Sequence, residues 1–260
     1  MDYGEANKEA WEEAFAKHKE GYQEDPAQRL RRGDLSFLED DVRTMLVGIG
    51  LEGKSVAQFC CNNGRELLTL LNMGAATTTG FDIAENFIAE GRRLAREADL
   101  NADFVATDIY DIDVSFAEAF DLVFVTIGAL CWFADLDRFF SKVALVLKTG
   151  GDLLINEQHP YTNMLAGPNE DGYDAEHPDK VVFSYFKEEP WIQTNGVDYV
   201  GGTIYESKPL YSFSHSAVVE IFACCQFLEP RMVVVNLRRL TLDFCACNSG
   251  VSSAKYLLTT

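Results

Sequence analysis

The chain has 260 residues and a mass of 29.0 kDa, with 47% hydrophobic and 24% charged residues. That is enough for one large domain or two small ones, with a sizeable core, and it excludes a disordered chain, a collagen or a disulfide mini-protein. Forty-one acidic residues against 22 basic ones give a formal net charge of −19, which disfavours nucleic-acid phosphates and anionic membrane surfaces as partners.

The opening, MDYGEANKEAWEEAFAKHKE, is polar and acidic, unlike a secretory signal, and no window offers the long uncharged apolar run of a membrane span. The seven cysteines fall as Cys60-Cys61, Cys131, Cys224-Cys225 and Cys245-Ala246-Cys247, with no spacing that suggests zinc. They read as buried, reduced thiols in a cytoplasmic protein without a metal site.

In chain order, an amphipathic helix is expected over Asn7–His18, with Ala10, Trp11, Ala14 and Phe15 at helical spacing. The charged stretch GYQEDPAQRLRRGD leads to a second helix from Phe37 to about Gly48, for which Ser36 and Glu39 form a capping box. From residue 55 strands and helices alternate. Ser55–Phe59 is a buried strand, CCNNG a turn and Arg65–Met73 a helix. Thr77–Phe81 is a β-branched strand ending at Asp82, followed by a charged helix over Ala84–Ala98. Phe104–Ala106 is a short strand, and Leu122–Ile127 is the strongest strand of the chain. A helix over Leu136–Leu147 is closed by Lys148-Thr149-Gly150-Gly151, and Asp152–Asn156 is the fifth strand.

This rhythm predicts a doubly wound α/β fold: a mostly parallel, seven-stranded sheet with helices on both faces. Residues 159–215 break it with ten aromatics, and they read as an insertion over the ligand-binding edge of the sheet. A helix over Ala217–Phe227 and strands at Met232–Leu237 and Lys255–Leu258 complete the sheet. One domain, 1–260, is expected, divided into an N-terminal helical segment (1–50), a core (51–158), the insertion (159–215) and a C-terminal part (216–260).

In an open α/β sheet, ligands lie beyond the carboxyl ends of the strands. Four such ends carry small or polar residues here: Cys60-Cys61-Asn62-Asn63-Gly64, Asp82-Ile83, Asp108-Ile109 and Thr126-Ile127-Gly128. A loop of small residues after the first strand lets a ligand approach the backbone and meet a helix N-terminus. An acid ending the second strand suits a ribose diol. The Asp-plus-apolar pair after the third suits an adenine, with the carboxylate accepting from N6. A lone terminal Asp is more often a helix cap, so the case rests on the four ends together.

With these ends in order, the chain resembles the class I S-adenosylmethionine (SAM)-dependent methyltransferases, strongly over about 55–158. SVAQFCCNNGRE is similar to their first motif, GFDIAENFI to the acidic second, VATDIYDI to the third and FDLVFVTIGALCWF to the fourth. LDRFFSKVALVLKTGGDLLINE is similar to their helix and fifth strand. The resemblance implies that Cys60, Cys61, Asn62 and Gly64 line the methionine part of SAM. It places Asp82 on the ribose with Ile83 beside the adenine, Asp108 and Ile109 at the adenine edge, and Thr126 and Ile127 along the sulfonium. It also implies that Trp11 and Tyr22 close over the cofactor from the N-terminal segment. The first motif departs from the family pattern, because Cys60 and Asn62 stand at its first two glycines and Gln58 at its frequent acid. It reads as a CNNG variant.

The resemblance implies methyl transfer to a small-molecule acceptor, with S-adenosylhomocysteine as product, by a monomer or homodimer. In-line displacement needs proximity, orientation and exclusion of water, and a base only when the accepting atom carries a proton. Base candidates after the fifth strand are Glu157, His159 and Tyr161, with His159 preferred over its alternative as a packed histidine; His215 is a second. Trp191, Tyr199, Tyr205 and Tyr211, with Tyr161 and His215, are expected to form a lid and acceptor pocket, or else the insertion's own small core. Two other classes stay open: a non-catalytic SAM-binding protein and an NAD(P)-dependent oxidoreductase, although the latter calls for G-x-G-x-x-G and CCNNGRE has one glycine. Eleven acidic against three basic residues in 151–209 favour a neutral or cationic acceptor, unless that charge is solvated surface.

Overall fold

A computed structural model describes residues 2–18, 25–126, 128–157, 160–168, 170–194, 209–215 and 233–235. Helix α1 (Tyr3–His18) starts a turn earlier than its apolar spacing suggests, since Asp2 Oδ1 accepts from Glu5 N at 3.2 Å. Helix α2 (Pro26–Arg31) was not expected from the charged stretch. Its signal is Asp25-Pro26: the Asp25 carboxylate accepts from Ala27 N at 3.1 Å, and Pro26 occupies the first turn, where a missing N–H costs nothing. Helix α3 (Asp40–Ile49) begins later than expected, and the capping box does not form. Glu39 is the N-cap and makes no side-chain cap bond, while Ser36 accepts instead from Arg29.

Strands β1 (Ser55–Phe59), β2 (Thr77–Asp82), β3 (Asp103–Ala106) and β4 (Phe120–Val125) lie close to their expected positions, as do α4 (Arg65–Asn72), α5 (Glu85–Ala98) and α6 (Leu136–Val146). Strand β5 runs over Leu147–Ile155, directly from α6. The Lys148–Gly151 stop is therefore part of the strand: Phe120 pairs with Leu147 and Leu122 with Asp152, and the extra residues form a bulge with Gly150 at φ +80°. The chain continues through β6 (Trp191–Gln193), β7 (Leu210–Ser212) and β8 (Val233–Val235).

The main sheet has the order β3-β2-β1-β4-β5-β8, with five parallel strands and β8 antiparallel to β5. The described sheet thus has six strands; the expected seventh, Lys255–Leu258, and the helix Ala217–Phe227 lie outside the described residues. The two faces alternate along β4. Leu122 and Phe124 pack with α2, α3, α4 and α5, whereas Val123 and Val125 pack with α6. All four are fully buried, as a parallel sheet covered on both sides requires. The strand order reverses between β1 and β4, which opens a crevice at their carboxyl ends. β6 and β7 form a separate antiparallel pair. Among the described residues no helix is long and apolar enough to cross a membrane.

Candidate active site

A cavity of about 1,320 Å3 occupies this crevice. The turn after β1 forms its floor. Cys60, Asn62 and Gly64 all take positive φ, at 53°, 51° and 72°. These are the first motif's three glycine positions, so the backbone keeps a left-handed path although only one residue there is free of a Cβ. The non-glycine pair is unfavourable locally, Asn less than Cys. Two side-chain oxygens brace the turn: Asn62 Oδ1 accepts from Asn63 N at 2.7 Å, and Asp82 Oδ2 accepts from Asn62 N at 2.8 Å. At Gly64 even a methyl group would lie 2.3 Å from Phe104 Cε1.

Asp82 ends β2 and also accepts from Ala84 N at 3.0 Å. Burial pushes its carboxyl upward, and backbone donors pull against that shift. Asp108 follows β3, accepts from Tyr110 N at 2.8 Å, and is likewise raised by burial. Ile83, Ile109 and Thr126 line the cavity with them. Helix α1 covers this end. Trp11 packs edge-on against Phe87 and Trp132, and a Cβ on Gly4 would meet Asp108 Oδ2 at 2.8 Å. Ile127 and Tyr22 lie outside the described residues.

Glu66, in the first turn of α4, was missed by sequence reasoning. It lies beneath the turn, raised by burial, and bonds Thr126 and Gln58, whose Nε2 donates to Glu66 Oε2 at 2.9 Å. An acid thus reaches from α4 to the place where Gln58 replaces the family's usual one. The signal was Glu66 itself, two residues beyond Gly64. Tyr3, Asn7, Phe37, Tyr110 and Arg138 also line the cavity. They come from covering helices and loops whose docking no local periodicity reports.

A second cavity of about 110 Å3 adjoins the first through Gly128, Cys131 and Trp132. Glu157, Asn163, Trp191, Phe213 and His215 line it. Glu157 accepts from Gly128 N at 2.8 Å and Leu130 N at 2.9 Å, so its two oxygens fix the loop after β4. His215 Nε2 sits 2.7 Å from the Phe133 carbonyl, and burial lowers its pKa. Trp191 Nε1 donates to Ser214 Oγ at 2.9 Å while its ring packs on Phe183. Tyr211 lines neither cavity; its ring packs on Tyr3 at 5.1 Å. His159, Tyr199 and Tyr205 lie outside the described residues, as does the side chain of Tyr161. The insertion's described acids Glu170, Asp171, Glu176, Asp179, Glu188 and Glu189 are exposed, Asp174 is half-exposed and paired with His177, and none lines either cavity, so they belong to the surface. Their charge gives no support to a cationic acceptor.

Cys60, Cys61 and Cys131 are free thiols, all raised by burial. Among the described residues no group of three or more His, Cys, Asp or Glu is placed to hold a metal.

Residues 56–151 match a family model described as a methyltransferase domain. A search of curated proteins finds no match. Among solved structures, one provisionally described as an S-adenosylmethionine-dependent methyltransferase from Listeria monocytogenes is 20% identical, covers 69% of this chain and 81% of its own, and has a TM-score of 0.50. It shares the fold. An S-adenosylmethionine-dependent methyltransferase from Mesorhizobium loti is 23% identical over 45% of this chain and 54% of its own, with a TM-score of 0.41. The chain thus spans about half the length of that protein.

Proposed function

We propose that the protein transfers a methyl group from SAM to a small-molecule acceptor. The observation that carries this is the convergence, in one cavity of a methyltransferase domain, of the left-handed Cys60–Gly64 turn with Asp82 and Asp108. The residues fit the cofactor. The turn presents backbone at close range, and Asp82 and Asp108, at successive strand ends, both line the cavity. Cys60, Cys61, Asn62 and Gly64 would hold the methionine part, Asp82 the ribose diol, and Asp108 the adenine edge between Ile83 and Ile109. Thr126 and Ile127 border the sulfonium, and Trp11 closes the site above, with Tyr22 as a second cover. The first motif is then a CNNG variant that keeps the glycine backbone path with only Gly64 of the three glycines.

When bound, SAM supplies an electrophilic methyl group on a good leaving sulfur, and S-adenosylhomocysteine remains. This chain's residues orient and exclude water. Trp11, Phe87 and Trp132 screen the cavity with aromatic surface. The second cavity, walled by Trp191 and His215, is the acceptor pocket, and the insertion that carries them acts as its lid. Glu157 and His215 are engaged with backbone there and position the loop after β4. His159 is left as the proposed base, for an acceptor atom that carries a proton. The unbridged Cys60, Cys61 and Cys131 fit the expected cytoplasmic setting. The test is isothermal titration with SAM and S-adenosylhomocysteine, then methyl transfer to a metabolite pool by wild type and by His159→Ala. Binding without transfer would make the protein a non-catalytic SAM binder.

A further inference from the structure

The two cavities have Gly128, Cys131 and Trp132 in common, and among the described residues nothing else lines both. All three sit on the loop after β4, directly behind Thr126 and Ile127, the pair assigned to the sulfonium. Gly128 takes φ +79°, and a Cβ built there would meet no atom within 4 Å, so its side-chain direction opens on empty space. Cys131 turns its thiol back onto the Gly128 carbonyl at 3.3 Å, and Trp132 packs edge-on against Trp11. Three residues from outside the loop hold it in place. Glu157, just past β5, accepts from Gly128 N and Leu130 N. Phe213 N, just past β7, donates to the Cys131 carbonyl at 2.8 Å, and His215 Nε2 lies 2.7 Å from the Phe133 carbonyl.

With the nucleoside in the first cavity and the acceptor in the second, the reacting atoms must come within roughly 3–3.5 Å of one another across this shared wall. A residue without a side chain, in a loop held from outside, keeps such a wall open. We infer that Gly128, Cys131 and Trp132 frame the opening through which the accepting atom reaches the methyl group, and that Gly128 keeps it clear by lacking a Cβ. There the lone pair of the accepting atom forms the bond to the methyl carbon while the methyl–sulfur pair stays on sulfur. A proton on that atom, where there is one, passes to His159 or to water. The inference rests on the proposed function and adds a rule of selection: the acceptor carries its nucleophilic atom on a slim, projecting end. The second cavity, at about 110 Å3, is itself smaller than the roughly 150 Å3 that holds a benzene ring.

Alanine at two glycines tests this with backbone strain matched. Gly150 has φ +80° and, like Gly128, would place a Cβ in open space, but it lies in the exposed bulge of β5 and lines neither cavity. Transfer of labelled methyl from saturating SAM to a deproteinised cell extract is compared with calorimetric affinity for S-adenosylhomocysteine. Gly128→Ala is expected to lose transfer about tenfold or more while binding S-adenosylhomocysteine within about threefold of wild type, and Gly150→Ala to keep both within about twofold. Wild-type transfer by Gly128→Ala overturns the inference. So does a parallel loss of S-adenosylhomocysteine affinity, which assigns the residue to the cofactor pocket alone. Should Gly128→Ala fail to fold, Cys131→Leu narrows the same opening without a change at a positive-φ residue, and the same two results decide. The proposed function is judged on wild type, before any variant: no binding of S-adenosylhomocysteine, or binding without transfer, ends it, and the opening falls with it.

Discussion

Asn7 reads the backbone of Tyr211 with both halves of its amide: Nδ2 donates to the Tyr211 carbonyl at 2.9 Å, and Tyr211 N donates to Oδ1 at 2.8 Å. This pairing joins α1 to β7 across 204 residues of sequence, with Tyr3 beside it, tilted against Tyr211 and edge-on to Phe213. The N-terminal helix and the end of the insertion thus form a joint cover over the cavity. Asn7→Ala removes both bonds, at a local cost of about 1–3 kcal/mol. Amide exchange along α1 should accelerate while β1 and β4 stay protected. Unchanged exchange in α1 would show that the aromatic contacts alone hold the cover.

The turn after β1 gives an opposed pair of substitutions. Gly64→Ala places a methyl group against Phe104 at a residue with φ +72°, and should cost about 2 kcal/mol or more. Asn62→Gly relieves a left-handed asparagine, but it removes the acceptor of Asn63 N and adds unfolded-state freedom, so it should cost about 1 kcal/mol, less than Gly64→Ala. Denaturant unfolding of the two variants checks the order. A Gly64→Ala protein as stable as wild type would contradict the turn geometry.

The core of the fold was legible in the sequence because its signals are local. Val123 and Val125 against Leu122 and Phe124 write a two-faced buried strand, and Asp82 and Asp108 mark strand ends by themselves. The left-handed path was less legible, since Cys60 and Asn62 are not residues that demand positive φ. What could not be read depends on docking. Arg29 and Phe37 reach the cavity only because α2 and the following loop settle beside α4. Tyr211 looked like a pocket residue by type, but its backbone is occupied by Asn7 and its ring by Tyr3. The Gly150-Gly151 pair reads as a helix stop, yet the same freedom serves a bulge at the start of β5.

A third expectation concerns acid. Burial alone would raise Asp121, but Lys148 at 2.9 Å and both Ser55 donors outweigh it and hold the carboxyl at about 2. A folded pKa below the unfolded value of roughly 3.9 stabilises at neutral pH, and the contribution is lost as pH falls from about 4 through 2. Asp121→Asn should therefore be less stable than wild type at pH 7, with the gap closing toward pH 2. Urea unfolding of both proteins across that range measures it; a constant gap would mean the loss is not electrostatic.

Asp82→Ala tests the ribose assignment. It deletes an acceptor for two hydroxyls and should weaken S-adenosylhomocysteine about tenfold to a hundredfold at about 1.5–3 kcal/mol. Because Asp82 also accepts from Asn62 N and Ala84 N, Asp82→Asn, which keeps the side-chain shape and one acceptor oxygen, serves as a control for mere loosening of the turn. Equal affinity in Asp82→Ala and wild type would remove Asp82 from the cofactor site.

The central claim is that the crevice between β1 and β4 holds SAM rather than a nicotinamide dinucleotide. Isothermal titration of the wild-type protein with S-adenosylhomocysteine and, separately, with NADH addresses it most directly. Saturable binding of S-adenosylhomocysteine at one site per chain and no heat from NADH are expected. Binding of NADH without S-adenosylhomocysteine would contradict it.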